Sequence, residues 1–265
     1  MTEVSRQNKT TGMAGSVAPL ANVASLAELI ERCNNRTDGL PGMGCFYGRA
    51  GRGKTHAGIY SAIRLNAVHV EALPIGGVKG LLNGIVHELG LKPERSTDGL
   101  FYQICREFMH SRRPLIIDEA EAILKETPVE IIRKIHDKTG CTIILMGEEE
   151  LPQRLKAWER VDSRMLDHVG AAEATLKDVD ILAGLYAPGV VLDTDLKGLL
   201  LKASGGSLRY LATNLDKLKE HAAVHGLRSL TLAQWGARPL HTGEAPMPRH
   251  SAPRGLMNAR RGRAA

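Results

Sequence analysis

Eight residues constrain this chain more than any others: Gly48-Arg49-Ala50-Gly51-Arg52-Gly53-Lys54-Thr55. They fit glycine, any four residues, Gly-Lys and Ser/Thr at every fixed position, the pattern of a phosphate-binding loop. The glycines let the main chain wind tightly and aim successive N–H groups inward, forming a nest for phosphate oxygens. Lys54 is then a point charge for the β- and γ-phosphates, and the Thr55 hydroxyl a ligand for Mg²⁺. His56 follows on a helix whose positive end adds to the cradle. Such a loop needs a strand before it and a helix after it. Met43 to Tyr47 is a short apolar run suited to a buried parallel strand, and Ile59, Ile63 and Leu65 mark a helix ending near Asn66.

Further strands follow at Ala67 to Leu73, Pro114 to Glu119 and Cys141 to Met146. Helical stripes lie between them: Leu81, Leu82, Ile85, Val86 and Leu89; then Thr97 to His110; then Pro128 to Lys138 with Gly140 as a stop. Strands alternating with helices at this spacing predict an α/β fold with a parallel sheet covered on both faces. Upstream, Ser25 is positioned to cap a helix over Leu26 to Cys33. Beyond about Leu176 strand-like runs give way, apart from Gly189 to Leu192. Short helices follow, with Asp193 and Ser207 as caps. The expected divisions are an arm at 1–24, a nucleotide-binding α/β domain at 25–174, a helical lid at 175–236 and a tail at 237–265.

Hydrophobic residues make up 43% and charged residues 24% of the 265, ordinary values for a soluble globular protein. No apolar run approaches the roughly 20 residues needed to span a bilayer. The first 24 residues lack a basic-then-apolar leader layout, so a cytoplasmic protein with no membrane partner is expected. Cys33, Cys45, Cys105 and Cys141 form no C-x-x-C pair, which argues against zinc and disulfide frameworks and for reduced, buried thiols. The net charge of +6 is uneven: residues 238–265 hold six arginines against one acid, which leaves +1 for the body. That tail is suited to DNA or an acidic surface.

Asp118-Glu119 closes an apolar strand in the Walker B manner. The first acid is the expected partner of Thr55 for Mg²⁺, and the second the group that orients or deprotonates an attacking water. Glu121, one turn on, reads as a surface helix residue.

Together the loop, the acidic pair and the trailing helices resemble the AAA+ ATPases, P-loop NTPases with a parallel sheet between helices and a small helical lid. That resemblance implies ATP and Mg²⁺ as ligands. It places Glu148 at the end of the fourth strand, where Asn, Thr or Ser is typical, as the residue that helps place the water. It implies an arginine acting on a neighbouring subunit's ATP, with Arg164 as first candidate and Arg160 as second. Arg209, opening a lid helix after Gly205-Gly206-Ser207-Leu208, matches the lid arginine that touches the γ-phosphate.

Gly42-Met43-Gly44, Leu115 to Glu121, Ile144 to Gly147 and Gly205 to Leu211 further resemble the transposition ATPases of the phage Mu B, TnsC and TniB type. This implies an ATPase that self-assembles on double-stranded DNA and delivers it to a transposase. Nonspecific DNA binding needs cations facing phosphates. The matching loop positions are Lys79 and Lys125, with Arg133 and Lys134 as further candidates. Helicase loaders and ExeA-type assembly ATPases share much of this grammar, so an ATPase acting on a protein partner is the alternative.

Overall fold

The computed structural model describes residues 20–243. Its centre is a parallel five-stranded sheet built from β1 (Met43–Tyr47), β2 (Val68–Glu71), β3 (Leu115–Asp118), β4 (Ile143–Gly147) and β5 (Met165–Gly170), in the order β2-β3-β4-β1-β5. The expected α/β class is therefore what forms. Ladders such as Met43↔Ile143, Ile117↔Leu145 and Val70↔Ile117 hold the register.

Buried parallel strands read as continuous apolar runs because both faces are covered. In β3 and β4, Leu115, Ile117, Ile143 and Leu145 face one core and Ile116, Ile144 and Met146 the other. The first core is closed by α3 (Gly77–Glu88), α4 (Thr97–Ser111) and α5 (Glu126–Thr139), with the short helices α6 (Leu151–Lys156) and α7 (Glu159–Asp162). The second is closed by α1 (Ala21–Asn34) and α2 (Lys54–Arg64), together with the C-terminal helices. Gly44 permits this approach: a Cβ there would sit 2.9 Å from Ile144, 3.1 Å from Leu29 and 3.2 Å from Cys33.

The C-terminal segment comprises α8 (Leu176–Tyr186), α9 (Thr194–Ser204), α10 (Leu208–Val224) and α11 (Leu232–Trp235), with β6 (Val191–Leu192) paired in parallel to β7 (Ser229–Leu230). Asp193 and Ser207 cap α9 and α10 through their side chains, as expected. Past Trp235 the chain folds back on α10, where Asn214 and the His241 backbone exchange hydrogen bonds of 2.9 and 2.7 Å. Residues 1–19 of the expected arm and 244–265 of the expected tail lie outside the described residues.

Three local expectations change. Helix α1 starts at Ala21, ahead of the expected cap, and Ser25 donates its hydroxyl to the Ala21 carbonyl instead. Strand β5 was not legible, because its Leu166, Asp167, His168 and Val169 are only half-buried on the sheet's edge and its apolar signal is diluted. In α2 the stripe points the other way: Ile59 and Ile63 are exposed, while Lys54, Ala57, Gly58 and Ser61 face inward. A helix lying close on the sheet beside a phosphate loop has room only for small side chains on that face.

Candidate active site

The carboxyl ends of β1, β3 and β4 meet at one edge of the sheet, and β4 lies between the other two. Gly51 and Gly53 follow β1 with φ of 82° and 78°, a left-handed conformation that glycine adopts without steric cost. Lys54 begins α2 with only 7% of its surface exposed. Its ammonium donates to the carbonyls of Gly48 and Arg49, the latter at 3.1 Å.

Loop and α10 are joined directly. The backbone N–H groups of Leu208 and Arg209 reach the Gly51 carbonyl at 2.9 and 3.4 Å. A Cβ on Gly51 would collide with the Ser207 hydroxyl, and one on Gly53 would lie 2.7 Å from Leu208. Arg52 donates to the Ala171 carbonyl at 2.7 Å and pairs with Glu173 at 3.0 Å. Asn22, buried in the first turn of α1, donates to the carbonyls of Arg52 and Ala172, both at 2.9 Å, and accepts from the Ala172 N–H at 2.8 Å. The Ala21 N–H reaches buried Asp178 of α8 at 3.1 Å. Sequence reading missed Asn22 and Asp178, since a polar residue in a helix's first turn carries no mark of a distant partner.

Facing the lysine is a group of acids. Asp118 is 2% exposed. Burial pushes its carboxyl up, but the neighbouring His69 imidazole, the Thr55 hydroxyl and the Glu119 N–H, which donates to it at 3.0 Å, outweigh that and leave its pKa lowered. Glu119 follows at φ 53°, ψ 42°, an uncommon conformation for a residue with a Cβ that turns the chain sharply at the strand's end. Burial, then the charges of Asp118, Glu121 and Glu148, raise its pKa, while Lys54 opposes the rise. A carboxylate with a raised pKa accepts a proton more readily, as a general base requires.

Glu148 lies between these groups because β4 does; its Oε1 is 3.7 Å from the Lys54 ammonium. Glu121 is not a solvated helix residue: it accepts from the Glu148 N–H, and its second oxygen is buried without a partner. Gly147 makes this possible, for any Cβ there would overlap the Glu121 carboxylate. The Glu121–Gly147 contact joins residues on different strands' ends and leaves no local trace in the sequence.

The sequence-predicted residues therefore divide. Gly48, Arg49, Ala50, Gly51, Arg52, Gly53, Lys54, Thr55, Asp118, Glu119 and Glu148 share one end of the sheet, with Arg209 beside the loop and exposed. Arg49 pairs with Glu149 at 2.9 Å, both exposed, and His56 is exposed on α2. Arg164 lies at the opposite end, where its carbonyl accepts from the Met43 N–H at the start of β1. Its guanidinium is held by Asp137 at 3.1 and 3.3 Å. Arg160 is exposed, and its side chain makes no hydrogen bond or ion pair among the described residues. Arg133 is mostly buried and engaged with Glu130 and Asp137, so its charge is already compensated. Lys79, Lys125 and Lys134 are exposed.

These residues fit a Mg²⁺–nucleotide: a positive-φ glycine nest, a buried ammonium, and a hydroxyl beside a buried carboxylate. The fold is the α/β architecture of the AAA+ P-loop proteins, a parallel five-stranded sheet between helices. A family model described as an AAA domain matches residues 37–155. No curated protein matches the chain. Among solved structures, the fold is similar to the Aeropyrum pernix Orc1 protein in complex with DNA (18% identity, TM-score 0.56, covering 83% of this chain and 65% of that one). It is also similar to Cdc6p from Pyrobaculum aerophilum (14% identity, TM-score 0.56, 78% and 62%). The chain thus spans less than two thirds of either structure's length.

Proposed function

We propose that this chain is an ATPase that assembles on double-stranded DNA in its ATP-bound form and presents that DNA to a transposase. The observation that carries the ATPase part is the convergence of Lys54, Thr55, Asp118, Glu119 and Glu148 at one end of the sheet, under a lid helix that hydrogen-bonds the phosphate loop.

The roles follow from chemistry. Loop N–H groups and the Lys54 ammonium bind the phosphates and offset their charge. Thr55 and Asp118 would hold Mg²⁺, which when bound neutralises charge on the phosphate oxygens. Glu119 holds the attacking water and takes its proton, and Glu148 assists in placing that water. Arg209 approaches from the lid. Arg160, exposed and with no side-chain hydrogen bond or ion pair among the described residues, is the freer arginine for a neighbouring copy's nucleotide; Arg164 is tied to Asp137. Turnover then depends on assembly.

The DNA reading rests on exposed Lys79, Lys125 and Lys134, on the sequence resemblance to transposition ATPases, and on a similar fold in a protein solved with DNA. Filter binding with and without ATP at several salt concentrations tests it. Retention that requires ATP and weakens steeply with salt is expected. Binding indifferent to ATP, or none at low salt, would sink the idea. Electron microscopy with DNA and a non-hydrolysable ATP analogue should reveal a filament or ring.

One observation favours the alternative, an ATPase acting on a protein such as a replicative helicase. Leu73 and Ile75, on the loop that leads into α3 and its first-turn Lys79, are 57% and 73% exposed, and apolar side chains of this size serve protein contacts. Pull-down with a helicase in the absence of DNA separates the two readings.

A further inference from the structure

Strand β2 lies beside β3 with His69 opposite Ile116 and Glu71 opposite Asp118. Ile116 faces the core shared with α2, and Asp118, two residues on, points to the same side. His69 is next to both, so its imidazole projects toward α2 at the level of the phosphate loop. Its Nε2 stands 3.8 Å from Asp118 Oδ2, just beyond hydrogen-bond distance, and is buried with no hydrogen-bond partner among the described residues. The Asp118 carboxylate is the acceptor that faces it.

Space for the ring is made by a glycine. A Cβ on Gly58 would lie 2.8 Å from His69 Nε2, 2.9 Å from its Cδ2 and 2.9 Å from the Met146 methyl. Gly58 sits inside α2, where glycine is less favourable than alanine. The His69 imidazole and the Met146 methyl occupy the space that the missing Cβ leaves.

We propose that His69 is a positioning residue for the Mg²⁺ site: its Nε2–H is donated to the Asp118 carboxylate and fixes the orientation in which Asp118 faces Thr55. The inference rests on the nucleotide-binding reading above. Groups that orient a metal ligand are worth roughly 10- to 100-fold in metal affinity. His69 lies on β2, outside the phosphate loop, so its loss should leave metal-independent nucleotide binding intact.

The test uses the full chain and a fluorescent, non-hydrolysable ATP analogue, with Mg²⁺ titrated from EDTA conditions upward. For His69→Leu the Mg²⁺ midpoint should rise by roughly 10- to 100-fold, while analogue affinity in EDTA stays at the wild-type value. His69→Gln, which keeps a side-chain N–H donor, should recover most of the shift. Gly58→Ala, which leaves the histidine in the chain but displaces its ring, should also raise the midpoint. Melting curves by circular dichroism establish that each variant folds; if His69→Leu does not, Gly58→Ala and His69→Gln carry the comparison. An unchanged midpoint in folded His69→Leu or Gly58→Ala overturns the proposal, as does a matching loss of affinity in EDTA. Failure of the unsubstituted chain to bind the analogue at any Mg²⁺ concentration would refute the nucleotide-binding reading itself.

Discussion

Glu148 Oε1 lies 3.7 Å from the ammonium of Lys54, so the residue that carries the phosphate-binding charge already faces a carboxylate. A triphosphate entering the loop competes with that carboxylate for the same cation. Glu148 also belongs to the group of acids that pushes the Glu119 pKa up.

Replacing Glu148 by Gln should therefore tighten ATP binding. The pair is half-exposed on the glutamate side, so screening keeps the gain small, about 0.5 kcal/mol or two- to threefold in affinity. Turnover should fall in the same variant, because the water loses a polar neighbour of the right charge. Fluorescent-nucleotide displacement and phosphate release measure the two effects, and weaker binding in Glu148→Gln would contradict the competition.

Glu119→Gln should retain ATP binding and lose turnover, since the amide keeps the shape of the side chain but cannot take a proton. Unchanged turnover would refute its role as base.

The two arginines should separate by readout. Arg164→Ala breaks the pair with Asp137 and should lower the melting temperature. Arg160→Ala removes no side-chain hydrogen bond or ion pair among the described residues and should leave stability unchanged while lowering turnover of the assembled protein. Mixing Arg160→Ala with Lys54→Ala chains should restore part of the activity if the arginine acts on a neighbour's nucleotide. No recovery, with mixed assembly verified, would argue against action in trans.

Asn22→Ala should destabilise the chain by about 1–3 kcal/mol, because it strips hydrogen-bond partners from the Arg52 and Ala172 backbones. Urea unfolding measures this. ATP affinity should drop as well, since the phosphate loop loses its tie to the base of the lid.

His136 is buried, and burial holds its pKa below the ordinary 6.5. The unfolded chain then takes up a proton at a pH where the folded chain does not. This contribution lowers stability as the pH falls through 6.5 and adds nothing above that value. Melting temperatures of His136→Gln should accordingly depend less on pH between 7 and 5 than those of the unsubstituted chain. A parallel pH dependence in both would rule out His136 as the source.

Much of this protein was written locally. The phosphate loop, the strand before it, the Asp118-Glu119 pair and the caps at Asp193 and Ser207 are signals within a few residues, because turn geometry, helix capping and burial on both sheet faces act over that range. The parallel sheet followed from runs such as Leu115 to Ile117, where every residue is buried. Tertiary structure alone decided which groups meet. It turned Ile59 and Ile63 of α2 outward, since the inner face must pass close to His69 and Met146 at Gly58. It placed the edge strand Met165–Gly170, whose half-buried residues lack a continuous apolar run. It brought Glu121 under Gly147, Asn22 onto Arg52 and His69 beside Asp118. Those contacts depend on strand order and on residues far apart in the chain, and spacing along a sequence carries no record of either.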